Sequence, residues 1–107
     1  MSDTDPNIAN IWTIIQPRIM EKIDNVIHKE YGIGTIIDFE EFNDKRLLKL
    51  DKRLAHTDLL LLLAHGRQEL INEGFICEEP VPSILFKPSP HMLIVRWPRE
   101  IMGFHGL

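Results

Sequence analysis

The sequence predicts a single α+β domain: a long N-terminal helix and a second, leucine-rich helix packed on a small, mostly antiparallel sheet. Three observations support this fold class. The chain has 107 residues, enough for one domain, and its content of 44% apolar and 26% charged residues is typical of a globular protein. Two stretches show helical periodicity, whereas repeated prolines in the C-terminal part exclude helix and favour strands.

The first helix is predicted to start at Asp5, a good N-cap, with Pro6 in the first helical position. The apolar stripe keeps its phase through Pro17, which predicts one kinked helix, the alternative being a break at Gln16. Gly32 is expected to end the helix in a left-handed conformation. The stripe consists of Ile8, Ile11, Trp12, Ile15, Ile19, Ile23 and Ile27.

A β-branched and aromatic run predicts a strand over 35–39. The segment 43–55 is ambiguous. As a helix, it places Leu47, Leu50 and Leu54 on one face; as a strand, residues 42–50 would pair with 35–39. The helical periodicity fits slightly better, so we expect a short helix.

The leucine-rich helix is expected to begin with Thr57 as its cap and Asp58 in its first turn, and to end at Gly74. The run Leu59–Leu63 is apolar on every side. One face can serve the domain's own core, so the other, around Leu61 and Leu62, requires a cover from the remaining sheet or from another chain.

The C-terminal part predicts two strands, over 83–87 and 92–97, joined by Pro88-Ser89-Pro90. The second is almost continuously apolar, as in a strand buried on both faces. An apolar segment follows from Ile101. Residues 1–5 and 99–107 are expected to be tails of the single domain.

Charge and cysteine content exclude several classes of protein. The formal net charge of -4 is opposite to that of a general nucleic-acid coat or a cationic membrane binder. A single cysteine, Cys77, excludes a disulfide framework, and the adjacent carboxylates of Glu78 and Glu79 should raise its pKa and make it a poor nucleophile. No apolar run approaches the roughly 20 residues of a membrane span, so we expect a cytoplasmic protein.

The only metal-like spacing among the five histidines is His65 with Glu69, four residues apart on one helix. His56 and Asp58 lie just before them and could complete a divalent-metal site. Because such pairs arise often by chance, we predict no metal, and the absence of a phosphate-binding glycine loop leads us to predict no cofactor.

Residues 28–34, His-Lys-Glu-Tyr-Gly-Ile-Gly, ending at Asp38-Phe39, resemble the helix-to-strand junction of the cyanase family. In that family an Arg-x-x-Glu pair on the preceding helix and a serine after the glycines belong to the active site. The resemblance implies that Arg18 and Glu21 form such a pair, with Thr35 the hydroxyl nearest the place of the serine. The alternative for Arg18 and Glu21 is an ordinary ion pair on the helix surface.

The predicted order of elements (helix, strand, helix, helix, strand, strand) also resembles that of winged-helix domains, and residues 69–76 resemble the end of a recognition helix running into a wing. The resemblance implies a third helix in the DNA major groove. The net charge and the acidic pair Glu78-Glu79 favour protein binding instead, and the basic cluster can also be neutralised by the acidic run before it. The candidate phosphate-contacting residues are Arg46, Lys49, Lys52, Arg53 and Arg67.

No catalytic constellation is complete in the sequence. We therefore predict a non-enzymatic, small, acidic regulator, inhibitor or assembly factor that binds a protein partner, either another protein or a second copy of itself in a homodimer. A winged-helix DNA-binding regulator is the alternative, and an enzyme with cyanase-like features the remote one. The predicted partner-binding residues are Leu61, Leu62, Trp97, Met102 and Phe104.

Overall fold

The computed structural model describes residues 7–29 and 33–97 and shows an α+β fold, which confirms the predicted class. A 3-10 turn, Phe39–Phe42, follows the first strand. The remaining elements are helices α1 (Ile8–Lys29), α2 (Lys45–Leu48) and α3 (His56–Asn72), and strands β1 (Gly34–Asp38), β2 (Ile76–Glu78) and β3 (Met92–Arg96).

The sheet is antiparallel, with strand order β1-β3-β2, so that the last strand lies in the centre. The register pairs Ile36 with Ile94 and Cys77 with Val95. Because side chains alternate along a strand, one face of the sheet carries the buried residues Ile37, Leu93, Val95 and Cys77. The helices cover this face. The other face exposes Ile36 and Ile76, beside an ion pair of 2.9 Å between Arg96 and Glu78.

Helix α1 lies against α3 and β1 and supplies more buried core residues than any other described element. Its isoleucines at 11, 15, 19 and 23 are buried as the apolar stripe predicts. Trp12 packs over Gly66 of α3, and an added Cβ at Gly66 would lie only 2.6 Å from the Trp12 ring. A glycine in the middle of α3 therefore lets the two helices approach closely.

The structure corrects the predicted start of α1. The helix begins at Ile8, and the side chain of Asn7 caps it by accepting a hydrogen bond of 3.1 Å from the backbone N–H of Asn10. The predicted cap at Asp5-Pro6 and the predicted stop at Gly32 lie outside the described residues. The prediction of one helix through Pro17 is confirmed, and the alternative break at Gln16 is wrong.

The preference for a short helix in 43–55 is confirmed, and the strand alternative is wrong. Asp44 caps α2 by accepting a hydrogen bond of 2.8 Å from the N–H of Arg46. The helix ends at Leu48 because Lys49 is left-handed, with φ of 58°. This turn breaks the predicted periodicity, so Leu48 becomes a core residue that the helical pattern did not include.

Helix α3 begins two residues earlier than predicted. Its N-cap is Ala55, and Thr57 lies within the first turn, so the prediction of a Thr57 cap is wrong. The predicted end at Gly74 is confirmed, with φ of 103°. There the N–H of Phe75 bonds to the carbonyl of Leu70 at 3.1 Å and that of Gly74 to the carbonyl of Ile71 at 3.0 Å, the Schellman pattern.

The predicted strand over 83–87 is wrong, whereas β3 confirms the predicted strand over 92–97 to within one residue. The sheet's third strand is instead β2, directly after the turn that ends α3. Residues 79–91 form a loop from β2 to β3. The prolines of this loop cannot donate a hydrogen bond to a neighbouring strand, which disfavours a ladder here.

Candidate functional site

The β2–β3 loop ends in an exposed apolar tip. The N–H of Ser83 donates to the carbonyl of Phe86 at 2.8 Å, and the N–H of Phe86 donates to the Ser83 hydroxyl at 3.1 Å. These two bonds close a four-residue turn whose central residues, Ile84 and Leu85, are each 96% exposed. Val81 in the same loop is also exposed. Large apolar side chains presented in this way are typical of contact surfaces.

The first half of α3 adds exposed leucines near the base of this loop. Leu61 is 55% exposed, and Leu60 is also exposed. A groove of about 370 Å³ lies between α3 and the loop. Its lining is mostly apolar and comprises Leu60, Leu63, Glu79, Pro80, Pro88, Ser89, Pro90 and Met92. We call the exposed leucines of α3, this groove and the loop tip the apolar surface.

The predicted partner-binding residues separate in the structure. Leu61 belongs to the apolar surface. Leu62, in contrast, is 1% exposed and belongs to the monomer core, because its side of α3 faces α1 and the sheet. Trp97 is buried at the end of β3 as well. Met102 and Phe104 lie outside the described residues.

The residues that sequence reasoning missed are those of the loop tip. Their apolar run between prolines predicts a strand, which would bury every second side chain against the sheet. The sequence feature that could have identified the loop is the presence of prolines on both sides of Ser83–Phe86. Prolines that flank a short apolar run indicate a loop as readily as a strand edge.

The predicted nucleic-acid residues do not all lie together. Arg46, Lys49, Lys52 and Arg53 are exposed on or after α2, whereas Arg67 lies in the C-terminal half of α3. At 1.5 Å per residue, Arg67 is roughly 16 Å along the helix from the start of α3. Acidic residues also share the basic segment: Asp44 and Asp51 line the same open hollow as Lys45, Lys52 and Arg53.

The pair implied by the cyanase resemblance is not in contact. Arg18 and Glu21 are both exposed on α1, and no ion pair joins them among the described residues. The cation that α1 does pair with another element is Lys22, whose Nζ lies 3.4 Å from the Glu41 carboxylate. The geometry therefore assembles no Arg–Glu site on this helix surface.

The contacts of the histidines in the structure differ from those of the candidate metal set His65, Glu69, His56 and Asp58. His65 packs edge-on against Trp12, with ring centroids 6.3 Å apart, and the ring of His28 lies 3.0 Å from Asp24. His56, the first residue of α3, contacts His91 just before β3, with 2.8 Å between Nδ1 and Nε2. Within 7–29 and 33–97, no three His, Cys, Asp or Glu side chains are grouped to hold a metal ion.

A second, smaller cleft lies beside the His56–His91 pair. It has a volume of about 270 Å³ and is lined by Glu40, Asn43, Arg53, Leu54, His56, Leu59 and His91. Asn43 holds its wall in place. The Asn43 side chain accepts a hydrogen bond of 2.7 Å from the N–H of Leu54 and donates one of 3.1 Å to the Leu54 carbonyl.

Cys77 is buried on β2, and burial raises the pKa of its thiol, while the positive charge of Arg67 lowers it by less. From the sequence, the neighbouring carboxylates are expected to raise the pKa of Cys77. In the structure, the main cause of the raised pKa is burial. The raised pKa leaves little thiolate at neutral pH, so the thiol is a poor nucleophile.

Within the described residues, no helix is long and apolar enough to cross a membrane. Comparison of the chain with protein-family models, with curated proteins and with solved structures finds no match.

Proposed function

We propose that this chain is a non-enzymatic interaction protein of the cytoplasm that binds a protein partner through the apolar surface. The observation that carries the proposal is the loop tip, where Ile84 and Leu85 are each 96% exposed. Aliphatic side chains exposed to water do not stabilise the monomer. If a partner covers them, the burial contributes about 25 cal/mol per Å² of apolar area to the free energy of binding.

The arrangement of the apolar surface also supports protein binding. Leu60 of α3 and the prolines at both ends of the loop line one groove, and the same loop carries the exposed tip. Specific protein interfaces place such apolar residues at their centre and charged residues at their rim. Glu79 and Lys87, which lie within the loop on either side of its tip, can serve as that rim.

The proposal is tested with the double variant Ile84→Asp/Leu85→Asp, together with the single variant Leu61→Glu. These side chains are exposed, so the variants should unfold at the same denaturant concentration as the unchanged protein. We expect both to lose the partner captured by the tagged unchanged protein. Gln68→Glu, an exposed change farther along α3, should retain it. Equal capture by all four proteins would contradict the proposal.

A second candidate, a DNA-binding regulator, is favoured by one observation. The order of helices and strands, with the 79–91 loop in the place of a wing, is the order that resembles winged-helix domains. Against it, the exposed positions in the first half of α3 include Leu60 and Leu61 and no cation other than a histidine, and the loop tip is apolar where phosphate contacts would need cations.

Duplex DNA titrations decide between the two. A DNA-binding domain should lose affinity steeply as salt rises, and Lys49→Glu or Arg53→Glu should weaken its binding. We expect no saturable binding at low ionic strength. Saturable binding that depends on these two cations would replace the protein-interaction proposal.

A further inference from the structure

Strand β1 lies at an edge of the sheet, and every second residue along it directs its backbone groups away from β3. Two hydrogen bonds fix the alternation. The N–H of Trp97 donates to the carbonyl of Ile33 at 3.3 Å, and the N–H of Phe39 donates to the carbonyl of His91 at 3.0 Å. In an antiparallel ladder, alternate residues bond to the same neighbour. The odd-numbered residues from 33 to 39 therefore bond to β3, and the even-numbered residues between them face outward.

The outward backbone groups of β1 have no partner in the part of the chain that the structure describes. The carbonyls of Gly34 and Ile36 and the N–H groups of Ile36 and Asp38 make no hydrogen bond there. Proteins usually protect such an edge with a proline, a lysine or a bulge. β1 contains neither proline nor lysine, and its register with β3 is unbroken. The edge is therefore open to another strand.

The opposite edge of the sheet, β2, offers far fewer outward groups. Since the even-numbered residues of β3 bond to β2, the backbone groups of Ile76 and Glu78 point toward β3, and only those of Cys77 point outward. The N–H of Phe75, which would extend this edge, donates to the carbonyl of Leu70 at 3.1 Å. Pairing with a further strand is therefore favoured at β1.

The outward groups of β1 are complementary to themselves. When two copies of β1 lie antiparallel with Ile36 opposite Ile36, each Ile36 can exchange both of its backbone bonds with its counterpart. On either side of this pair, the N–H of Asp38 in one copy meets the carbonyl of Gly34 in the other. All the outward groups without a partner are used, so a second copy satisfies this edge completely.

The side chains on the face of the sheet opposite the helices match the same register. Ile36 lies opposite Ile94 of β3, and Ile94 lies opposite Glu78 of β2. Two paired copies would therefore place Ile94 and Ile36 of one copy and Ile36 and Ile94 of the other side by side in one row, with Glu78 at both ends. Aliphatic side chains directly opposite each other stabilise a sheet, and no like charges meet in this row.

The neighbouring row shows charge complementarity. Asp38 of one copy would lie opposite Gly34 of the other, and Gly34 lies opposite Arg96 of β3. Because Gly34 has no side chain, the stem of Arg96 lies over it: a Cβ at Gly34 would be only 2.8 Å from the Arg96 Cγ. The carboxylate of Asp38 would thus face a cation across the glycine instead of a second acid.

We infer that β1 pairs antiparallel with β1 of a second copy, about a two-fold axis at Ile36, and joins the two three-stranded sheets into one. The strand has five residues and is about 17 Å long. Such an interface is smaller than the roughly 800 Å² per partner of a stable dimer, so we expect association that depends on protein concentration. β1 contributes no residue to the apolar surface, which makes the inference independent of the proposed function.

Analytical ultracentrifugation of the full chain tests the pairing. From roughly 10 µM to 1 mM protein, we expect the mass to rise from that of one chain toward that of two. Ile36→Lys places two like charges opposite each other at the axis and should raise the dissociation constant at least tenfold. Ile76→Lys is the matched control, because Ile76 lies on the same face of the other edge strand and is 47% exposed against 41% for Ile36. It should change the dissociation constant less than twofold.

Mixing variants of opposite charge tests the position of the axis. Ile36→Lys and Ile36→Glu should each sediment as monomers, whereas an equal mixture should associate, because a lysine then lies opposite a glutamate. Both side chains are exposed, so the two variants should unfold at the same denaturant concentration as the unchanged protein. An unchanged protein that stays monomeric at 1 mM, a dimer that Ile36→Lys leaves intact, or equal weakening by Ile76→Lys would overturn the inference.

Discussion

The absence of a Cβ at Gly66 allows the Trp12 ring to pack against helix α3. The position of Gly66 in the middle of α3 is unfavourable for a helix, since glycine costs about 1 kcal/mol relative to alanine. The Trp12 ring explains the choice, because a Cβ at Gly66 would lie 2.6 Å from Trp12 Cζ3 and 3.2 Å from Phe39 Cζ. Both aromatic side chains are buried and cannot move aside freely.

We expect Gly66→Ala to lower the free energy of unfolding by up to about 2 kcal/mol. The overpacking cost of about 1–3 kcal/mol is offset in part by a gain of about 1 kcal/mol in helix propensity. Urea denaturation gives the value, with Gln68→Ala on the exposed side of the same helix as a control expected to stay within about 0.5 kcal/mol. A Gly66→Ala protein more stable than the unchanged one would show that Trp12 does not pack as described.

Cys77 gives the protein a pH dependence in the alkaline range. Burial raises the pKa of the folded thiol, so the folded state binds its proton more tightly than the unfolded state does. The free energy of unfolding should therefore fall as pH rises above about 8.5, the ordinary pKa of a thiol. Comparison with Cys77→Ala isolates this contribution from that of lysine and tyrosine. A difference between the two proteins that stays constant from pH 7 to pH 10 would contradict it.

At the scale of elements, the helices were predicted well because their signals are local. The isoleucine stripe of α1 and the glycine that ends α3 depend only on neighbours in the chain. The start of α3 was missed for a physical reason: Thr57 is the better capping residue, but the turns before it place Ala55 at the helix start instead. The cap position here is set by the tertiary path of the chain.

The strands were predicted less well because pairing is not local. β2 is only three residues long and forms because β3 lies beside it. Ser83–Lys87 has strand-like composition but no neighbouring strand to pair with, and the Ser83 hydroxyl closes a turn instead. The same limit applies to the cleft beside His56 and His91, since these two side chains are brought together only by the packing of α3 beside β3.

Pro17 lies inside helix α1 and removes one of its backbone hydrogen bonds. The proline lies inside the helix on its exposed side and leaves the carbonyl of Thr13 without its usual backbone donor. We expect Pro17→Ala to raise the free energy of unfolding by about 1–3 kcal/mol, because the new N–H can restore this bond. Thermal unfolding checks it. A destabilised variant would mean that the core requires the helix geometry that the proline imposes.

For the whole molecule, both the net charge and the exposed apolar area favour a protein partner over DNA. The formal net charge of -4 is unfavourable for DNA, and the basic side chains after α2 are interspersed with aspartates. The most exposed large apolar side chains, Ile84 and Leu85, lie at the loop tip. The sequence indicated a protein partner through the leucine run, but it assigned Leu62 to the surface and missed the loop. Periodicity alone cannot tell which side of an all-apolar helix turn faces the core.

The most direct test of the protein-interaction account replaces Leu85 with a photo-crosslinking amino acid in cells that normally contain the protein. The same substitution at Lys49, which is exposed in the basic segment, is the matched control. We expect a covalent adduct with one protein from position 85 and none from position 49, unchanged by nuclease treatment. Adducts only from position 49, or adducts that nuclease removes, would contradict the account.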